Sequence, residues 1–71
     1  MYIYQRIRDL REDKDLRQED VAPILQTTRE QYSRWERGAQ EIPFHHAITL
    51  ARYYRVSLDY IAGLTNKKQG R

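Results

Sequence analysis

Arg29, Glu30, Ser33 and Arg34 are the side chains of this 71-residue chain best typed and spaced to do chemistry. Residues three and four apart share one face of a helix, so these four can present a single polar surface. An arginine fork matches O6 and N7 of guanine, and each such pair discriminates by about 1–3 kcal/mol. Ser33 can donate or accept. Glu30 can only accept, so against DNA it takes a cytosine amino proton or repels phosphate; it also places favourable charge at a helix N-terminus. Tyr32 and Trp35 lie on the opposite side. Duplex bases are not open to stacking, so these two aromatics read as packing residues. Gln18 and Thr28 fall at helix starts, where a polar side chain and free backbone N–H groups together suit a phosphate. Gln31 divides between a capping role and a phosphate contact, and Arg37 between a phosphate clamp and dipole compensation.

A short helix, a tight break and a second helix must hold these groups. The second runs from about Arg29 to Arg37. Thr28 opens it, and Gln31 stands three residues later, the spacing of a capping box. Gly38 closes it as a left-handed stop after a basic last turn. Helix 2 starts near Gln18 with Val21, Ala22, Ile24 and Leu25 inward. Pro23 cannot donate to the carbonyl of Glu19, so a kink or weak turn is expected there. Gln26-Thr27 is the break. Ahead of it, Ile3, Ile7 and Leu10 mark an amphipathic helix from about Tyr2 to Lys14, with a turn at Asp15-Leu16. After the loop from Gly38 to Ile42, Pro43 is expected as the first residue of helix 4. Phe44, Ala47, Ile48, Leu50, Ala51 and Tyr54 form its apolar face. Ser57 caps a short fifth helix, Leu58 to Ala62, stopped by Gly63. No strand alternation and no repeat appears. The pattern is that of an all-α, compact five-helix bundle over residues 1–64, followed by a basic tail, 65–71, of disordered composition.

The bulk numbers exclude more than they assign. A chain this short buries only about 60% of its unfolded surface, so one modest core is expected. It contains no cysteine, hence no disulfide or thiolate site. No run is apolar enough for a membrane span or a leader core, and a cytoplasmic protein with no second sensing domain is expected. Residues 1–64 carry ten basic and ten acidic side chains, so net charge alone does not point to nucleic acid. Segregation does: six acids lie between Asp9 and Asp20, while Arg29, Arg34 and Arg37 sit on helix 3. His45 and His46 are adjacent and point about 100° apart on a helix, so they do not chelate one metal. There is no nucleophilic constellation and no glycine-rich phosphate loop. Neither an enzyme nor a cofactor is expected. The six tyrosines are too many for so small a core; some of Tyr2, Tyr4, Tyr53, Tyr54 and Tyr60 are expected in a surface patch with Ile61 and Leu64.

The ordered set LRQEDVA (16–22), TTREQYSRWERG (27–38), EIP (41–43) and LARYYRVSLDYIAGL (50–64) resembles the Cro/C1-type, XRE-like helix-turn-helix regulators. The likeness spans roughly Ile3 to Leu64. It implies a lambda-repressor-like domain that binds double-stranded DNA, with helix 3 in the major groove. It implies a homodimer on a palindromic operator and a role as a repressor, with a regulatory protein partner as a further option. By the same likeness, Arg29, Glu30, Ser33 and Arg34 fall at base-facing positions and Gln18 at a phosphate contact. Arg11 and Glu36 fall where the family often joins helices 1 and 3 by an ion pair. The chain departs from the family at Gln26 and Arg55, where glycine or asparagine is usual, and at Arg17, which replaces a Ser or Thr cap. It also departs at Ala39-Gln40-Glu41, a loop without basic residues. The rival reading is a protein-interaction module or antitoxin that uses the same scaffold with weak or no DNA binding.

Overall fold

The computed structural model describes residues 3–69 and is all-helical over them, with no strand among the described residues. Five α-helices follow in order: α1 (Ile3–Asp13), α2 (Gln18–Val21), α3 (Arg29–Arg37), α4 (Phe44–Tyr54) and α5 (Leu58–Ile61). A 3-10 turn, Ala22–Leu25, continues α2. Pro23 accounts for that change. With no N–H to give, it cannot extend the α ladder, and the chain tightens to i→i+3 bonds around it. The start of α1 expected at Tyr2 lies outside the described residues.

Every helical segment ends the same way. One residue turns left-handed, its N–H returns to the carbonyl three back, and the next N–H returns five back. Asp15 does this after α1 (Asp15 N to Glu12 O 3.0 Å, Leu16 N to Arg11 O 3.1 Å). Gln26, Gly38, Arg55 and Gly63 repeat the arrangement after the other four segments. Glycine adopts this conformation freely, but only two of the five stops have it. Asp15 at φ 56°, Gln26 at φ 56° and Arg55 at φ 59° carry a Cβ in a region that costs an ordinary residue about 1–2 kcal/mol. Glycine gives back about 0.5–1 kcal/mol of that through a looser unfolded chain. Gln26→Gly and Arg55→Gly are therefore each expected to stabilise by about 0.5–1 kcal/mol, seen as a thermal melting temperature raised by a few degrees. An unchanged or lower melting temperature would show that the native side chain contributes more than the strain it brings.

The starts are less uniform. Thr28 Oγ1 accepts from Gln31 N at 3.1 Å, and Ser57 Oγ accepts from Tyr60 N at 3.0 Å. Arg17 has no acceptor to offer and caps nothing with its side chain; instead Asp20 Oδ2 accepts from Arg17 N at 2.8 Å. Pro43 is the residue before α4, extended at ψ 144°, rather than its first helical residue.

The core joins all five helices: Ile7 and Leu10 from α1, Val21, Ala22 and Leu25, Tyr32 and Trp35 from α3, Ile42, then Ala47, Leu50, Ala51 and Tyr54, and Ile61 from α5. Two apolar expectations need correction. Phe44 is 69% exposed, because the helix begins there and its first turn points past the bundle. Ile61 is fully buried, since α5 closes the core, and does not belong to a surface patch. Tyr54 is buried on the apolar face of α4, as its spacing requires; Tyr53 and Leu64 are exposed, and Tyr2 and Tyr4 lie outside the residues described with side chains. Burial, and then neighbouring Tyr53, push the Tyr54 phenol up to about 12.

Arg6 is buried, and among the described residues no carboxylate pairs with it. Its guanidinium donates to Tyr60 O (3.1 Å), Thr65 O (3.2 Å) and Asn66 Oδ1 (3.0 Å) and lies 4.1 Å over the Tyr60 ring. The tail segment expected to be disordered thus lies against α1 in its first residues, and Ser57 N donates to Lys68 O at 2.6 Å.

Candidate nucleic-acid interface

Helix α3 is a rigid bar with two unlike sides. Tyr32, Trp35 and Glu36 are buried along one side; Arg29, Glu30, Arg34 and Arg37 are exposed on the other, with Ser33 half-buried between them. Thr28 and Gly38 fix its ends as the residue types require.

An ion pair ties this bar to the rest of the domain. Arg11 Nε and Nη2 donate to Glu36 Oε2 (2.8 Å) and Oε1 (2.9 Å), a bidentate fork from α1 to α3. Arg11 Nη1 also donates to Leu16 O at 2.8 Å, holding the turn after α1. Gln18 Nε2 donates to Glu36 Oε1 at 3.1 Å, so the first residue of α2 joins the same carboxylate. Part of the Gln18 amide is thus engaged inside the domain; its second N–H remains to donate to a phosphate.

Burial pushes the Glu36 carboxyl up, but the hydrogen bonds from Arg11 and Gln18 outweigh it and hold the group below its ordinary range. A carboxyl depressed in the folded state contributes stability fully present above its unfolded value, about 4.3, and lost as pH falls through the folded value. The urea midpoint should therefore decline below about pH 4.3, and less steeply in Glu36→Gln, which has no proton to gain. Equal slopes for the two proteins would assign the acid loss to other carboxylates. Tyr32 Oη is buried beside this network, and among the described residues no partner meets it in full hydrogen-bond geometry. Burial, and then the charge of Glu36, raise its phenol above the ordinary range, so it stays neutral.

The outer face has internal contacts of its own. Arg29 Nε lies 3.9 Å from Glu19 Oε1, and Arg17 lies 3.5 Å from the same carboxylate. Arg37 Nε donates to Ser33 Oγ at a long 3.4 Å. Gln31 does not complete the capping box, because its side chain is used elsewhere. Nε2 donates to Gln40 Oε1 at 2.6 Å, and Oε1 accepts from Arg34 Nη1 at 3.1 Å. Glu19 and Gln40 are the two residues that the sequence pattern does not single out. Glu19 lies ten residues from its partner and Gln40 sits in a loop, so no helical spacing marks either one.

Beside α3 the start of α4 presents Phe44 and His45 to solvent. The His46 ring is 5.0 Å from Trp35 and 4.0 Å from His45. Burial, and then His45, hold His46 below its ordinary range, which keeps an uncharged ring against Trp35. No group of three metal-ligating side chains occurs among the described residues, and no described helix is long and apolar enough to cross a membrane.

Comparison with known proteins adds two matches. A family model described as helix-turn-helix matches residues 7–61. An uncharacterized HTH-type transcriptional regulator of Bacillus subtilis (strain 168), YobD, is 37% identical over 62 residues, covering 87% of this chain. The match covers 55% of that relative, so the chain spans about half its length. No solved structure matches.

Proposed function

The chain belongs to the helix-turn-helix family of Cro/C1 type, and from that premise we propose that it is a sequence-specific DNA-binding transcriptional regulator. It acts as a repressor by occupying an operator, with α3 in the major groove. The observation that carries this reading is the two-sided α3. Tyr32, Trp35 and Glu36 lock one side to the core, while Arg29, Glu30, Ser33 and Arg34 line the other. Arg29 and Arg34 each read guanine through O6 and N7. Ser33 bonds a neighbouring base edge, and Glu30 takes a cytosine amino proton. Gln18, Thr28, Gln31 and Arg37 hold phosphates and set the register.

One copy of so short a helix spans only a few base pairs. A homodimer on a palindrome, with half-sites one helical turn apart, supplies the remaining specificity. Such a regulator works beside its DNA, in the cytoplasm. Selection of bound duplexes from a random pool tests the reading. An enriched palindrome supports it. Failure to enrich any duplex, together with salt-independent behaviour on random DNA, would overturn it and favour a protein partner for the scaffold.

A further inference from the structure

We propose that Gln40, in the loop between α3 and α4, is a positioning residue for base reading by Arg34; this rests on the DNA-binding reading above. Three observations carry it. First, the loop is anchored at Arg34 itself: Ala39 N and Gln40 N both donate to the Arg34 carbonyl, at 2.9 and 3.3 Å. Gly38, left-handed at φ 78°, makes that sharp return. Second, Gln40 Oε1 accepts from Gln31 Nε2 at 2.6 Å. Third, Gln31 Oε1 accepts from Arg34 Nη1 at 3.1 Å.

An amide has one oxygen and one nitrogen end, so the first side-chain bond fixes the second. With Gln40 accepting, Gln31 must point its nitrogen toward the loop and its oxygen toward Arg34. The flipped amide would set N–H groups against a guanidinium that also has only donors. Arg34, with donors only, calls for the Gln31 oxygen, and Gln40 meets the nitrogen end that this leaves; the acceptor at Gln40 thus reinforces the orientation of Gln31 that holds one edge of the Arg34 fork. Arg34 is exposed, and the remaining N–H groups of its fork bond no other side chain or carbonyl among the described residues. Base reading by an arginine gains from such preorganisation, because a tethered fork loses less side-chain freedom when it meets a base.

Two substitutions separate this role from ordinary loop structure. Gln40→Glu keeps an acceptor for Gln31 Nε2. Gln40→Lys removes the acceptor and offers a donor, which turns the Gln31 amide around and withdraws its oxygen from Arg34. Binding is measured to the duplex enriched from a random pool, to its single base-pair variants and to random duplex, at one salt concentration.

For Gln40→Lys the added charge raises affinity for random duplex. Discrimination at the base pair relaxed by Arg34→Ala falls about three- to tenfold, the scale of one hydrogen bond. For Gln40→Glu, affinity falls for all duplexes while discrimination at that base pair is kept. In the combined Gln40→Lys, Arg34→Ala protein, the lysine should cost no further discrimination there. A Gln40→Lys protein that binds more tightly everywhere and keeps its base preference would overturn the proposal alone. Failure of the unsubstituted protein to enrich any duplex would overturn the DNA-binding reading first, and the proposal with it.

Discussion

Glu36→Ala is expected to lower the stability of the domain by about 3–5 kcal/mol, the usual loss when one partner of a buried ion pair is removed. The Arg11 side chain is only 12% exposed and Glu36 only 4%, so the charge left behind has little water to turn to. Its next carboxylate, Glu12, is 3.9 Å away and half-exposed. Gln18 loses its acceptor in the same stroke. A domain of this length holds roughly 4–11 kcal/mol in all, so the substitution removes a large share. At about 4–8 °C per kcal/mol, the melting temperature should fall by more than about 12 °C. Arg29→Ala is the control. That side chain is 57% exposed and meets Glu19 only at 3.9 Å, so its removal should stay within about 0.5 kcal/mol. Melting both variants beside the parent decides the matter; equal melting temperatures would show that Glu36 does not hold the fold.

The second large effect is on recognition. Arg34→Ala should cost about 1–3 kcal/mol against the preferred duplex, a loss of about 5- to 150-fold, and relax the preference at one base pair per half-site. Arg29→Ala should do the same at a different base pair while leaving the melting temperature alone. Arg37→Ala should behave otherwise. As a phosphate contact it lowers affinity for every duplex alike and reduces the slope of log affinity against log salt by about 0.9 for each half-site occupied. Competition against single base-pair variants, repeated across a salt series, separates these patterns. Uniform weakening by Arg34→Ala would remove it from the base-reading set.

Much of this architecture is legible in the sequence because its signals are local. Thr28 and Gly38 bound α3, Ser57 and Gly63 bound α5, and Pro23 marks where the α ladder gives way. Each acts within four or five residues of itself. The fold class follows from these segments, and the family pattern supplies their order. What stays hidden depends on partners far along the chain. Gln31 has the right spacing to return to Thr28, yet its amide goes to Gln40 nine residues away. Phe44 belongs to the apolar stripe of α4 by period, but only its place in the bundle leaves it outside. The aromatic count points to a patch at Ile61; closure of the core by α5 buries it. Arg6 carries no sequence mark of burial, because its acceptors are backbone oxygens and an asparagine some 54 to 60 residues on.

That arginine changes how the domain comes apart. Small helical bundles commonly lose structure from their ends, since a terminal helix touches one neighbour and can peel off at little cost. Here a single buried guanidinium fastens α1 to the exit of α5 and to the residues beyond it. The first and last helices are joined in this way, and neither moves away without breaking these bonds. Detaching either one opens the Arg6 guanidinium to water but costs its three hydrogen bonds and its seat over the Tyr60 ring. The two ends of the bundle are thereby coupled: loosening of one withdraws a support from the other, and the shared clamp opposes both.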